Sequence, residues 1–372
     1  MRVKPQWLVG AAAVLVAVGF VLGIQFARSP EPDPDAVASS QGSSTPVTPG
    51  EAVRGAAARP DGSDDALCAG DEGSAAAHTV GVLPDEPSLG TTKTRLLVSQ
   101  SAENLASVAL MMEVTDARER VDAITRAMSI GDRDAIVVWS AVQICDRPRP
   151  DLDCPAEGWE DELLKLDGEN SEVWIRVAAR RYERGDTAKA LDAVRHAATA
   201  GETREYWAET IAMLERALNA AGGYSFPQRA ELAFGFAAAN LPAYAPVVSM
   251  CGKQSLVDAE WAQACLDYGR LLERQGKTDI GLAIAQSIQI AALEAMRNTE
   301  EAQAVAARKD AASRERMSAP AGERADAFVF GNTRIFAAYL AAVRERGERA
   351  ARTEAREEAK RLADGCSQQP AN

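Results

Sequence analysis

From Ser101 onward, apolar residues recur every three or four positions, and period-two alternation is hard to find. That spacing gathers apolar side chains into one stripe of a helix and argues against a half-buried sheet as the main architecture. Ser101 stands before Ala-Glu-Asn as a natural N-cap. Gly131-Asp132 closes this region, and a second helix is predicted from Asp134 to about Ile144. Later breaks fall at Gly168, Gly185, Gly201, Gly222-Gly223, Pro242, Pro246, Gly252, Gly276 and Gly331. Most of the intervals suit helices of about ten to twenty residues joined by short turns. Only Thr79–Leu83 and Leu96–Val98 could be strands, and neither has an obvious partner. Residues 96–372 are therefore read as an all-α domain.

What precedes that domain is of two kinds. Trp7 through Phe26 is an apolar run in which only Gln25 is polar. As a helix it would span about 30 Å, the hydrocarbon thickness of a bilayer. Arg2 and Lys4 precede it, and Glu31, Asp33 and Asp35 follow. The positive-inside bias makes residues 1–28 a cytoplasmic tip and signal-anchor helix, with the rest of the chain outside the inner membrane. A cleaved secretory signal is the alternative. Its best small-x-small site, Ala17-Val18-Gly19, would leave Phe20-Val21-Leu22 in water, and cleavage before Arg28 meets Gln25 where a small residue is wanted. Gly19-x-x-x-Gly23 fits a weak helix-dimer motif. Residues 29–95 hold 11 acidic and 4 basic side chains, 8 of the 17 prolines and no aromatic residue. Such a segment buries too little apolar surface to offset the entropy of ordering, so it is read as a disordered tether.

The net charge of −13 argues against a nucleic-acid backbone or anionic lipid surface as partner. Six cysteines in an exported chain suggest disulfides. Cys145 and Cys154 bracket a loop with two prolines, at the facing ends of two predicted antiparallel helices. Cys251 and Cys265 flank a predicted helix start at Asp258, while Cys68 and Cys366 are left open. No C-x-x-C occurs, and the histidines are His78 and His196 alone, so no metal site is expected.

Residues 164–201 say which kind of helical protein this is. Counting from Ser171, they place Trp174, Val177 and Ala178 in a first helix, Gly185-Asp186 in a turn, and Ala190, Leu191 and Ala197 in a second. This pattern resembles a tetratricopeptide repeat. Small residues at 178, 190 and 197 independently allow two antiparallel helices to approach closely. Val194 replaces the usual aromatic, and Gly168 stands where the junction proline would be. A weaker copy covers 262–288, with Tyr268-Gly269 and Gly276 in register, but Cys265 replaces Trp and Gly281 the key Ala. Gly185 and Gly276 are 91 residues apart, not a multiple of the 34-residue period, so non-repeat helices are expected between about 204 and 255. The resemblance implies an irregular α/α solenoid whose concave groove would present Glu172, Ile175, Ala179 and Tyr182, then Gln263, Leu266, Arg270 and Glu273. The family's lysine–asparagine carboxylate clamp is missing.

Catalytic motifs are incomplete. Gly276-Lys277-Thr278 has Leu271 where a phosphate-binding loop needs glycine, and no strand precedes it. Gly223-Tyr-Ser225-Phe-Pro227 lacks the second glycine of a nucleophile elbow. His196 falls on a helix flank, and Glu205, Glu209 and Glu215 read as solvated helix faces. Arg344–Arg361 carries opposite charges at i,i+4 (Arg344/Glu348, Glu348/Arg352, Glu357/Arg361), the mark of a solvated helix, with an Ala351/Ala355/Ala359 stripe as a possible partner-binding face.

These features favour a membrane-anchored periplasmic scaffold that binds protein partners, with no cofactor and no catalysis. A membrane-tethered chaperone for an exported client is the alternative. Lipase-specific foldases share the layout, although their Phe-Asp-Tyr signature is absent here. An enzyme on an α/α scaffold is the third reading.

Overall fold

The computed structural model describes residues 88–131, 133–145, 154–318 and 329–366. These residues are helical, with short connections and no strand among them. No described helix is long and apolar enough to cross a membrane. The expected span 7–26, Gly19 and Gly23, Cys68, His78 and Thr79–Leu83 lie outside the described residues.

Helix α1 (Leu89–Leu97) begins inside the stretch read as tether, and of Leu96–Val98, read above as a possible strand, it takes in Leu96 and Leu97, with Val98 as its C-cap. Leu96 is buried in the core, and the Arg95 guanidinium donates to the Ala221 carbonyl at 2.9 Å. Tertiary contact thus makes helical a segment whose local composition is that of a linker. After α1 come α2 (Ala102–Met111), a 3-10 turn (Val114–Asp116), α3 (Ala117–Ser129), α4 (Ala135–Cys145) and α5 (Ala156–Asp167). Helix α2 opens on Ser101, whose hydroxyl accepts from the Asn104 N–H.

Next come α6 (Ser171–Glu183), capped by Asn170, and α7 (Thr187–Thr199), capped by Asp186. Gly185 turns between them at φ 83°, the left-handed region that glycine enters without strain. Helices α8 (Trp207–Ala221), α9 (Phe226–Ala239) and α10 (Ala245–Ser255) fill the interval expected to hold non-repeat helices. Pro246 sits in the first turn of α10 and Gly252 lies within it, so neither is a break. Helices α11 (Ala259–Gln275), α12 (Asp279–Ala295), α13 (Thr299–Ser318), α14 (Thr333–Arg346) and α15 (Glu348–Cys366) complete the chain.

From α1 through α7 each helix packs on the next in sequence. The succession then jumps: α7 packs on α11, and α11, α12 and α13 continue the stack. The α8–α9 hairpin turns back onto α1 and α2, while α10 lies against α6, α11 and α12. Helix α14 packs on α8, with α15 folded against it. Two apolar clusters follow. One, around Leu105, Ile124, Trp139 and Ile211, joins α1–α5, α8, α9, α14 and α15. The other, around Ile175, Trp261 and Leu272, joins α6, α7 and α10–α13.

Helices α11 and α12 approach closely at Gly269. A β-carbon there would sit 2.9 Å from Gln289 Cγ and 3.1 Å from the Ala285 carbonyl oxygen. Ala178, Ala190 and Ala197 play the matching part in the α6–α7 pair, each fully buried. Trp174 does not fill the space between those helices. It is half-buried, stacks on His196 at 4.5 Å between ring centroids, and donates its indole N–H to the Gly168 carbonyl at 2.7 Å. Both expected disulfides form, with α-carbons 5.9 Å apart for Cys145–Cys154 and 5.7 Å for Cys251–Cys265. The second ties α10 to α11 inside the core, since Cys251 and Cys265 are both buried.

Gly269→Val should destabilise by about 1–3 kcal/mol, because the α11–α12 contact has no room for it. Gly235→Ala is the control: nothing lies within 4 Å of a β-carbon there, so alanine in mid-helix should be neutral or stabilise by up to about 1 kcal/mol. Thermal melts of the two variants check both signs.

Candidate functional site

The loop between α7 and α8, the turn between α11 and α12, and the end of α14 enclose a cleft of about 370 Å³. Its walls carry Arg204 and Glu205 from the first, with Trp207 and Glu209 from the start of α8, Lys277 and Thr278 from the second, and Arg344 from the third. Tyr206 enters α8 at φ 57° and offers no side-chain cap, and the first turn of that helix borders the cleft through Trp207, Ala208 and Glu209. The Trp207 indole nitrogen is buried with no hydrogen-bond partner in the protein.

Glu205 forms the cleft floor and is 5% exposed. Its Oε2 accepts from the backbone N–H of Lys277 at 2.7 Å and of Thr278 at 2.9 Å. Its Oε1 accepts from the Thr278 hydroxyl at 2.5 Å and the Tyr244 hydroxyl at 3.3 Å. Thr278 is the N-cap of α12, and its oriented oxygen accepts in turn from the Gly281 N–H at 2.8 Å. Gly281 stands where the repeat pattern wants alanine, and the reason is steric: a β-carbon there would come 2.1 Å from Glu205 Oε1. Glu348, from the start of α15, accepts from the Asp279 N–H at 2.8 Å. Two carboxylates from distant parts of the chain thus converge on the positive end of one helix.

Behind Glu205 lies a buried polar layer between the two apolar clusters. Glu172 is fully buried, and its Oε1 accepts from the Tyr268 hydroxyl at 2.8 Å. Arg176 donates to the Ala243 carbonyl at 3.1 Å and lies over the Tyr244 and Trp139 rings at 5.0 and 5.7 Å. Burial, joined by the nearby Glu205 charge, raises Glu172 to about 7, against the pull of Arg176 and the tyrosine hydroxyls. Burial also raises Glu348 to about 7. Tyr244 and Tyr268 are pushed up by burial and by the Glu172 charge. Asp167 accepts from the Tyr206 hydroxyl, and burial and that bond push the phenol up.

The residues expected to line an open groove are placed differently. Glu172, Ile175, Ala179 and Leu266 are buried; Tyr182 and Arg270 are half-buried, and Gln263 is exposed. Residues 241–244 and helix α10 fill the space over α6: Tyr244 covers Arg176, and Gln254 donates to the Tyr182 hydroxyl at 3.0 Å. Trp261 meets the Tyr182 ring edge-on at 6.2 Å. Arg270 pairs with Glu301, and Glu273 with Arg308. The chain's own insertion therefore occupies the groove, and it is core material locked by Cys251–Cys265.

The charged C-terminal helix is also redirected. Its expected i,i+4 partners bond elsewhere: Arg344 pairs with Glu209, Arg352 with Asp279, and Glu348 caps α12. Ala351 and Ala355 are buried, with Ala351, Ala355 and the α14 residues Tyr339 and Ala342 lining one crevice. Glu205 reads in the sequence as one more surface carboxylate, yet it is buried against the α11–α12 turn. The sole local signal was Gly281, a vacancy in the repeat pattern that has no cause until the fold sets Glu205 above it. Glu209 keeps a partly exposed ion pair with Arg344, whereas Glu215 is not on a solvated face: its pair with Arg229 is largely buried, at 18% and 16% side-chain exposure. His196 stays on a half-exposed flank, as expected. Among the described residues, no group of three or more His, Cys, Asp or Glu is placed to hold a metal.

No family model, curated protein or solved structure matches the chain.

Glu205→Ala would strand the Lys277 and Thr278 N–H groups and release the α12 cap. A loss of about 2–4 kcal/mol is expected, against under about 1 kcal/mol for Glu209→Ala, whose ion pair faces water. Urea titrations of both variants, read against wild type, measure the contrast.

Proposed function

We propose that this chain is an irregular tetratricopeptide-like scaffold, anchored at residues 7–26 and placed outside the inner membrane, that holds a protein partner at the α8 cleft. The observation that carries the reading is the direct packing of α7 on α11. It joins the two helix pairs that resemble repeats into one stack and leaves the intervening segment to fill the groove. The α6 and α7 limits coincide with the pattern counted from Ser171, and Ala178 and Gly269 sit at matching close approaches. Two disulfides support an oxidising compartment.

With the groove filled, the cleft is the surface on which the reading rests. It is lined by the first turn of α8 and by the cations Arg204, Lys277 and Arg344. Arg204 and Arg344 stand there in partly exposed ion pairs with Glu202 and Glu209, which a competing acceptor can enter, while Glu205 already accepts four hydrogen bonds. An acceptor-rich stretch of polypeptide, carrying backbone carbonyls and carboxylates, suits that lining.

A photo-crosslinking residue in place of Arg344 should capture one discrete protein in intact envelopes, and Arg204→Glu should weaken that capture at least fivefold. The same residue in place of exposed Lys253 on α10 should capture none. Equal adducts at both sites, or none at either, would remove the cleft from the reading. A phosphatase reporter fused after Pro87 should be active; an inactive fusion would remove the extracytoplasmic placement.

A further inference from the structure

The layer behind Glu205 has a feature that scaffolding does not require. Two carboxylates, Glu172 and Glu205, lie in one buried cluster with a single guanidinium, Arg176. Glu172 comes from α6, Glu205 from the α7–α8 loop, Tyr244 from the segment before α10, and Tyr268 from α11. Each of these elements is held to the others through this cluster.

The hydrogen bonds count the protons. Tyr268 donates to Glu172 Oε1, and Tyr244 donates to Glu205 Oε1. Glu172 Oε2 is buried and has no hydrogen-bond partner. An ionised carboxylate leaves that oxygen unsatisfied, beside a second negative charge and out of water. A protonated Oε2 is instead a donor, and the Tyr244 hydroxyl oxygen has a lone pair free to accept. The Tyr244 hydroxyl donates to Glu205 Oε1 at 3.3 Å, and its pull also reaches the Glu172 carboxyl. One proton then completes a chain from Tyr268 through Glu172 and Tyr244 to Glu205. With it, the charge of Glu205 is matched by Arg176. Without it, the layer carries a net negative charge.

We propose that Glu172, Tyr244 and Glu205 form a proton-dependent latch, in which one proton shared by two buried carboxylates clamps residues 241–244 and the α11–α12 turn to α6. Its loss at alkaline pH loosens the wall of the cleft that Glu205 supports. The groups facing Glu172 are Arg176 on its own helix, Tyr268 from α11, Tyr244 from the segment before α10, and Glu205 from the α7–α8 loop. Burial and the Glu205 charge together place the transition near 7. A carboxyl raised on folding takes up a proton when the chain folds. Its stabilising contribution is full below the unfolded value near 4.5 and is lost as pH rises through about 7. Glu348 titrates in the same range from the other side of α12, facing Asp279, Arg352 and Glu205, so the test must separate the two.

The full chain is compared with Glu172→Gln and Glu348→Gln between pH 5.5 and 8.5. The readouts are melting temperature and hydrogen exchange of residues 241–247 and 275–281, corrected for intrinsic rates. Wild type should melt progressively lower as pH rises, with both segments exchanging at least tenfold faster at pH 8.5 than at 5.5. Glutamine at 172 keeps a donor at every pH. It should abolish at least half of the melting shift and most of the exchange change, while Glu348→Gln leaves the 241–247 response intact. An unchanged pH response in Glu172→Gln, or its loss in Glu348→Gln alone, overturns the latch. If Glu172→Gln does not fold, carboxyl carbon NMR of the wild type decides: titration of Glu172 near 7 supports the proposal, and titration below 5 overturns it.

Discussion

The fold turns on one carboxylate set against one helix end. The first N–H groups of α12 have no partner within their own helix, and the α11–α12 turn that carries them is buried under two other parts of the chain. Glu205 takes the N–H of the cap residue Thr278 and of Lys277 just before it, and orients the Thr278 hydroxyl for the Gly281 N–H, while Glu348 takes the N–H of Asp279. Both carboxylates lie where the helix dipole favours negative charge. The C-terminal pair is fastened at the same place. Lys277 donates through Nζ to the Glu345 carbonyl, and its own carbonyl accepts from the Glu348 N–H at 2.7 Å. Gly347, at φ 88°, lets that turn close, since a β-carbon would lie 3.0 Å from the Lys277 carbonyl oxygen.

This junction explains how an irregular stack holds together. In a regular helical repeat each pair touches its neighbours alone, and stability accumulates along one dimension. Here helices α8–α10 intervene between the repeat-like pairs, yet α7 still meets α11. The intervening helices fold over the stack and contribute to both apolar clusters. Their polar contacts meet in the layer around Arg176, Tyr244 and Glu205. The face of α6 that carries Glu172, Ile175 and Ala179 is thereby used as internal core. What remains open is the cleft lined by the α7–α8 loop, the α11–α12 turn and the end of α14.

All-helical architecture was legible from period alone, because helix packing needs a stripe and the stripe is written in the apolar spacing. The cap residues Ser101 and Asp258 were legible too, since an N-cap acts on backbone only a few residues away, whereas Asp186, read as part of a turn, proves to be the cap of α7. So were Cys145–Cys154, whose loop is short, and the α6–α7 hairpin, whose contacts are local. Helix α1 was not, because burial of Leu96 and the bond from Arg95 to Ala221 act over more than a hundred residues.

The sequence by itself determined the elements that short-range physics controls: helical period, caps, turns at Gly185 and Gly276, and small residues at close helix approaches. Tertiary structure alone decided which faces stayed open. Glu172, Ile175, Ala179 and Leu266 had a groove's spacing, but spacing cannot show that residues 241–255 lie over it. Glu205 and Glu209 are acidic residues four positions apart; one is buried under four donors and the other meets solvent beside Arg344. Their difference arises from Lys277, Thr278 and Tyr244, which lie far along the chain. Burial and charge are set by what packs against a residue in space, and that is fixed only when the helices have assembled.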